Sequence, residues 1–148
     1  MTRDDRGSVS RRKTNIHGQP KIKPSETLQR IDADHKEGGA FRLGASERKT
    51  VEKAIREVGL LRGYLLYALN VRTNHVHLVV GNFGKVERMM DSFKAYSTKA
   101  LRAAELIEKD TKPWSRHGST RYLWTERHIE MAVQYVINGQ GGELPSFD

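Results

Sequence analysis

Arg72-Thr73-Asn74-His75-Val76-His77-Leu78-Val79-Val80 carries two histidines one residue apart at the start of an apolar run. In a strand, side chains alternate between faces, so His75 and His77 share one face while Val76 and Leu78 share the other. Same-face neighbours stand roughly 7 Å apart, and a cation bonding each ring nitrogen at about 2 Å can bridge two neutral imidazoles with modest tilting. The stretch upstream, Gly63 to Val71, is equally dense in Tyr, Leu, Val and Ala, and Arg72-Thr73-Asn74 separates the two runs. That pattern predicts an antiparallel hairpin with the histidines on its second strand.

Helical patterns flank the hairpin. Upstream, Ser46 and Glu47 suit an N-cap and first turn. Val51, Ala54, Ile55 and Val58 then recur at helical spacing, and Gly59 is a plausible stop. Downstream, a stripe of Val86, Met90, Phe93, Ser97, Ala100, Leu101 and Ala104 predicts a long helix from Lys85 to about Ile107. A polar loop from Lys109 to Ser119 leads into a predicted strand at Thr120–Trp124, and Thr125 can cap a last helix striped by Ile129, Ala132, Val133, Val136 and Ile137. Before the first helix, Ala40 to Leu43 suits a short strand, whereas residues 25–39 offer only Leu28 and Ile31 as anchors and suit at most a short helix. The order of the first six elements matches a split β-α-β-β-α-β arrangement. We expect an α+β ferredoxin-like sandwich: an antiparallel sheet carrying the two-histidine strand, helices on one face, and a C-terminal helix bearing Tyr135.

Composition narrows the chemistry. With 148 residues the chain suits one domain, read as 25–148, preceded by a basic, disordered arm at 1–24. It contains no cysteine, which excludes disulfide frameworks, cysteine-based zinc sites and thiol nucleophiles. No apolar run approaches the length of a membrane span, so no membrane association and a cytoplasmic location are expected. The net charge of +8 suggests a polyanionic partner, and residues 1–30 hold eight Lys or Arg against three acids, more than half of that excess. Arg11, Arg12 and Lys13 would add salt-sensitive, sequence-independent affinity for phosphates.

At about 100° per residue, Tyr135 lies well off the centre of the last helix's stripe, so it is not an ordinary core tyrosine. Tyr96, close to the stripe of the long helix, reads as structural. Trp114, Arg116, Arg121 and Tyr122 combine rings with cations and are candidates for contacting single-stranded nucleic acid. Trp124 equally suits closing the core over the sheet.

Asn74-His75-Val76-His77-Leu78-Val79-Val80, a long helix, Tyr122-Leu123-Trp124, and then Tyr135-Val136-Ile137-Asn138-Gly139-Gln140 together resemble the single-tyrosine HUH transposases. Within that group they are most similar to the REP-associated tyrosine transposases and their insertion-sequence relatives, over about residues 40 to 142. The resemblance implies nicking and rejoining of single-stranded DNA, including hairpin-forming DNA, through a covalent 5′-phosphotyrosine. Tyr135 would be the nucleophile, and His75 with His77 would hold Mg²⁺ or Mn²⁺. Relatives often supply a third ligand about one turn after the tyrosine, where this chain has Gly139. Gln140 is then favoured over Asn138, and His128 is a further candidate. A homodimer that exchanges tyrosine helices is compatible with the resemblance. Two other readings fit the residues: a non-catalytic or domesticated nucleic-acid-binding module, and a metal-dependent phosphoesterase without a covalent step.

Overall fold

The computed structural model describes residues 26–34, 42–81 and 84–138. Its elements run β1 (Glu26–Ala33), α1 (Ala45–Arg62), β2 (Leu65–Val71), β3 (His75–Gly81), α2 (Val86–Ala103), β4 (Trp114–Tyr122) and α3 (Glu126–Ile137). Among the described residues the strands form one sheet in the order β2-β3-β1-β4, with every neighbouring pair antiparallel. That is the α+β, ferredoxin-like order expected from the sequence.

The sheet has two covered faces. On one, Ile31, Val76, Leu78 and Val80 pack with Val51, Ile55 and Val58 of α1 and Met89, Phe93 and Leu101 of α2. Phe93 is fully buried and meets Tyr64 edge-on, with ring centroids 5.6 Å apart. An aromatic buried this way contributes roughly 2–3 kcal/mol. On the opposite face a smaller cluster joins Leu28, Val79 and Leu123 to Ala132 and Val136 of α3. By strand alternation His75 and His77 lie on the same face as Val79, the face that α3 covers.

The first strand lies earlier than expected. Arg42, Leu43 and Gly44 are neither helix nor strand, and Ala40 and Phe41 lie outside the described residues. β1 occupies Glu26–Ala33 instead, as a central strand between β3 and β4. Its polarity hid it. Thr27 and Gln29 are fully buried, and they are satisfied in part by each other: Gln29 Nε2 donates to Thr27 Oγ1 at 3.1 Å, and Thr27 Oγ1 donates to the Val80 carbonyl at 3.4 Å.

Three boundaries also move. Gly44 rather than Ser46 is the N-cap of α1, and that helix passes through Gly59 to end where Gly63 takes a left-handed φ of 73°. α2 stops at Ala103, because Glu105 adopts φ 58° and the Glu105 and Leu106 N–H groups donate back to the Arg102 and Leu101 carbonyls. The segment expected as a loop before the last strand is itself strand from Trp114 onward. Gly118 permits this: a Cβ there would lie 2.5 Å from Met90 Sδ and 2.7 Å from the Arg30 carbonyl, so only glycine lets α2 sit this close to β4. Thr125 caps α3 as expected, its hydroxyl accepting from the His128 N–H at 3.0 Å.

Candidate metal and tyrosine site

β3 is the most enclosed strand of the sheet, with all seven residues buried. His75 and His77 are 5% and 1% exposed, and their ring centroids are 4.6 Å apart. Asn74 Oδ1 lies 2.6 Å from His75 Nδ1. An amide oxygen only accepts, so Nδ1 carries the proton and Nε2 presents its lone pair. The Nε2 atoms of both histidines are buried and, among the described residues, have no hydrogen-bond partner. Two orphaned imidazole nitrogens side by side are a costly arrangement, on the order of 1–3 kcal/mol each, unless something bonds them.

Electrostatics keep both rings neutral. Burial is the main cause that pushes His75 from its ordinary 6.5 to about 4, with the Arg30 and Arg72 charges acting the same way and Asp32 opposing. His77 is likewise pushed down to about 4, by burial first, then by His75 and Arg30. Neutral imidazole is the form that binds a metal.

The cross-strand register builds the surroundings of His77. Arg30 on β1 is its partner on one side and Asn70 on β2 on the other, while Asp32 pairs with His75. Arg30 Nε donates to Asp32 Oδ1 at 2.6 Å. Asn70 Nδ2 donates to the Val136 carbonyl at 2.9 Å, tying the last turn of α3 to the edge of the hairpin. The residue before Val136 is Tyr135, whose ring is half-buried with its centroid 5.2 Å from that of His77. Thus His75, His77 and Tyr135 meet within one chain, although about sixty positions separate the histidines from the tyrosine.

The remaining candidates divide. Arg11, Arg12, Lys13 and Gln140 lie outside the described residues. Asn138 is the exposed C-cap of α3. Among the described residues no group of three His, Cys, Asp or Glu could hold a metal, so any third donor there is of another type. His128 belongs to the start of α3, where its Nδ1 accepts from the Trp124 N–H at 3.4 Å, two helical turns from Tyr135. Trp114 is not a surface ring: it is 9% exposed, joins the larger core and donates from Nε1 to Ser97 Oγ at 3.0 Å. Trp124, considered for the core, is 55% exposed. Arg121 pairs with Leu28 and so falls on the α3 side of the sheet. Arg116 instead lines a groove beside α2 with Lys94, Arg102 and Lys112. Tyr122, the last residue of β4, is half-buried, and Tyr96 packs on the larger core with the Arg62 guanidinium 5.8 Å from its ring centroid.

Asn70, Arg30 and Asp32 were not anticipated. Asn70 meets His77 because four residues, Arg72 to His75, connect Val71 to its partner Val76, one more than the three-residue connection expected from the sequence, which would have placed Asn70 opposite Val76. Arg30 and Asp32 were hidden with β1 itself.

No family model matches the sequence, and no curated protein matches it. Among solved structures, the chain is similar to a REP-associated tyrosine transposase bound to a REP hairpin. The identity is 14% and the TM-score 0.59, over 84% of this chain and 72% of the other. It is also similar to a protein of Deinococcus radiodurans proposed to be a transposase, at 16% identity and TM-score 0.57, over 86% of this chain and all of the other. At these identities the likeness establishes a shared fold. Among the described residues no helix is long and apolar enough to cross a membrane.

Proposed function

We propose that this chain nicks and rejoins single-stranded DNA, including hairpin-forming DNA, as a tyrosine transposase of the HUH type. The observation that carries the reading is the position of Tyr135, half-buried on the helix that covers the two-histidine face, with its ring 5.2 Å from His77. The fold shared with two transposase structures supports the same class.

The donor set fits a divalent cation. His75 and His77 would hold it through the two orphaned Nε2 atoms, with an amide oxygen of Gln140 or Asn138 as third donor. Mg²⁺ or Mn²⁺ is the assignment that goes with the family, because imidazole alone would also accept zinc. When bound, such an ion supplies charge neutralisation at a phosphate.

Tyr135 Oη attacks the phosphorus and forms a new P–O bond, the phenolic proton passing to water. The P–O3′ bond breaks, its electron pair stays on the 3′ oxygen, and that oxygen is protonated as it leaves. The 5′ phosphate is then joined to Tyr135. Attack by a 3′ hydroxyl reverses the step and rejoins the strand. Asn70 acts as a positioning residue by fixing the carbonyl next to Tyr135.

The test is a denaturing gel of the protein incubated with a labelled single-stranded DNA library and Mn²⁺. A shifted adduct that resists boiling in detergent is expected, lost in Tyr135→Phe and kept in Tyr96→Phe. Cleavage without an adduct would favour a phosphoesterase, and binding without cleavage a non-catalytic module.

A further inference from the structure

β1 is a central strand, and the face it shares with Val79 is covered by α3, yet Arg30 and Asp32 occupy two consecutive positions of that face. Their side chains are only 20% and 29% exposed. An ion pair so placed contributes little to stability compared with apolar side chains of similar volume, because desolvating both charges offsets most of their attraction. The sheet therefore keeps a guanidinium where packing alone would favour an aliphatic residue. The direction of the side chain is informative. Arg30 stands opposite His77, and its Nε reaches along the strand to Asp32, which stands opposite His75. The guanidinium is thus drawn across the two rows that carry the imidazoles, and its charge acts on both. Arg72 adds a second positive charge to the same surroundings.

We propose that Arg30, oriented by Asp32, is the anion-holding residue of this site, its guanidinium binding a non-bridging oxygen of a phosphodiester laid across His75, His77 and Tyr135. The inference rests on the phosphoryl-transfer reading above and adds a substrate contact to it. A guanidinium carries five N–H donors in a planar fork, and the Nε bond to Asp32 sets the plane of that fork. The fork matches two oxygens of a phosphate in a way that a lysine ammonium does not. Asp32 is then a positioning residue, since it fixes the plane of the fork without touching the phosphate.

The experiment titrates inorganic phosphate into the full-length, metal-free protein and follows the ring resonances of His75 and His77 by NMR. Saturable shifts are expected in the wild type and in Tyr135→Phe. Arg30→Ala should weaken phosphate at least tenfold, and Arg30→Lys about threefold. Arg88→Ala, on the helix across the sheet, should leave it unchanged. An affinity within twofold of wild type in Arg30→Ala overturns the proposal. If that variant does not fold, Arg30→Lys decides in its place, and wild-type affinity there overturns the role of the fork. An Asp32→Asn variant should weaken phosphate and be partly rescued at higher phosphate concentration. If the wild type forms no DNA adduct yet binds phosphate through Arg30, the strand-transfer reading fails and the anion site stands.

Discussion

The buried histidine pair makes a prediction about folding that does not depend on any substrate. Both rings are held near 4 in the folded protein and near the ordinary 6.5 when unfolded. Between those values the unfolded chain binds more protons than the folded one, so stability rises with pH. Their contribution is fully present above about pH 6.5 and is lost as pH falls towards 4, below which no further loss follows. At pH 5.5 each histidine costs roughly 1.4 kcal/mol, and at pH 4 and below each costs roughly 3 kcal/mol. Replacing both with asparagine keeps a polar side chain and removes the titration. Urea unfolding at pH 7.5, 5.5 and 4.5, with chelator present, separates this share from all other groups. The wild type should lose about 3 kcal/mol more than the double variant between pH 7.5 and 5.5, a midpoint difference of about 1–3 M urea. Parallel losses in the two proteins would refute the neutral, buried state of the pair.

Other outcomes follow from the same geometry. Mn²⁺ at a hundred times its dissociation constant should raise wild-type stability by about 2.7 kcal/mol, and His77→Asn should abolish the gain, read as the thermal midpoint with and without metal. Asn70→Ala removes the bond to the Val136 carbonyl. It should cost about 1 kcal/mol in urea unfolding but slow adduct formation about tenfold, because Tyr135 loses its anchor. Gly118→Ala forces a methyl against Met90 and the Arg30 carbonyl. Since a backbone oxygen has no rotamer to yield, a loss of about 1–3 kcal/mol is expected by calorimetry.

Much of the layout was legible because the hairpin and the two long helices follow the rules of alternation and helical spacing. The Thr125 cap and the Val51–Val58 stripe come directly from local pattern, whereas the hairpin register is one residue off what a three-residue connection would give. What escaped notice did so for physical reasons. β1 carries Thr27, Gln29, Arg30 and Asp32 among few apolar residues, and its polar side chains are accommodated by hydrogen bonds or an ion pair that no spacing rule reveals. Trp114 is likewise hidden by its neighbours, since its indole is core only because Ser97, two helical turns from Met90, offers an acceptor inside the larger cluster. The pairing of Tyr135 with the histidines depended on which face α3 would choose, and that choice is set by Leu28 and Leu123, neither adjacent to the site in sequence.

The two faces of the sheet are unequally held. Among the described residues, the core cluster beneath α1 and α2 has thirteen buried members, whereas the cluster under α3 has five, three of them from outside that helix. An element with so shallow a footing opens at lower free energy than the rest, and amide exchange in α3 should outpace that in α2. The proposed nucleophile, Tyr135, therefore rides on the layer most ready to detach. Such a protein has, in effect, two melting temperatures, one for being folded and a lower one for being competent, and mild heat should silence its chemistry while the larger core is still intact.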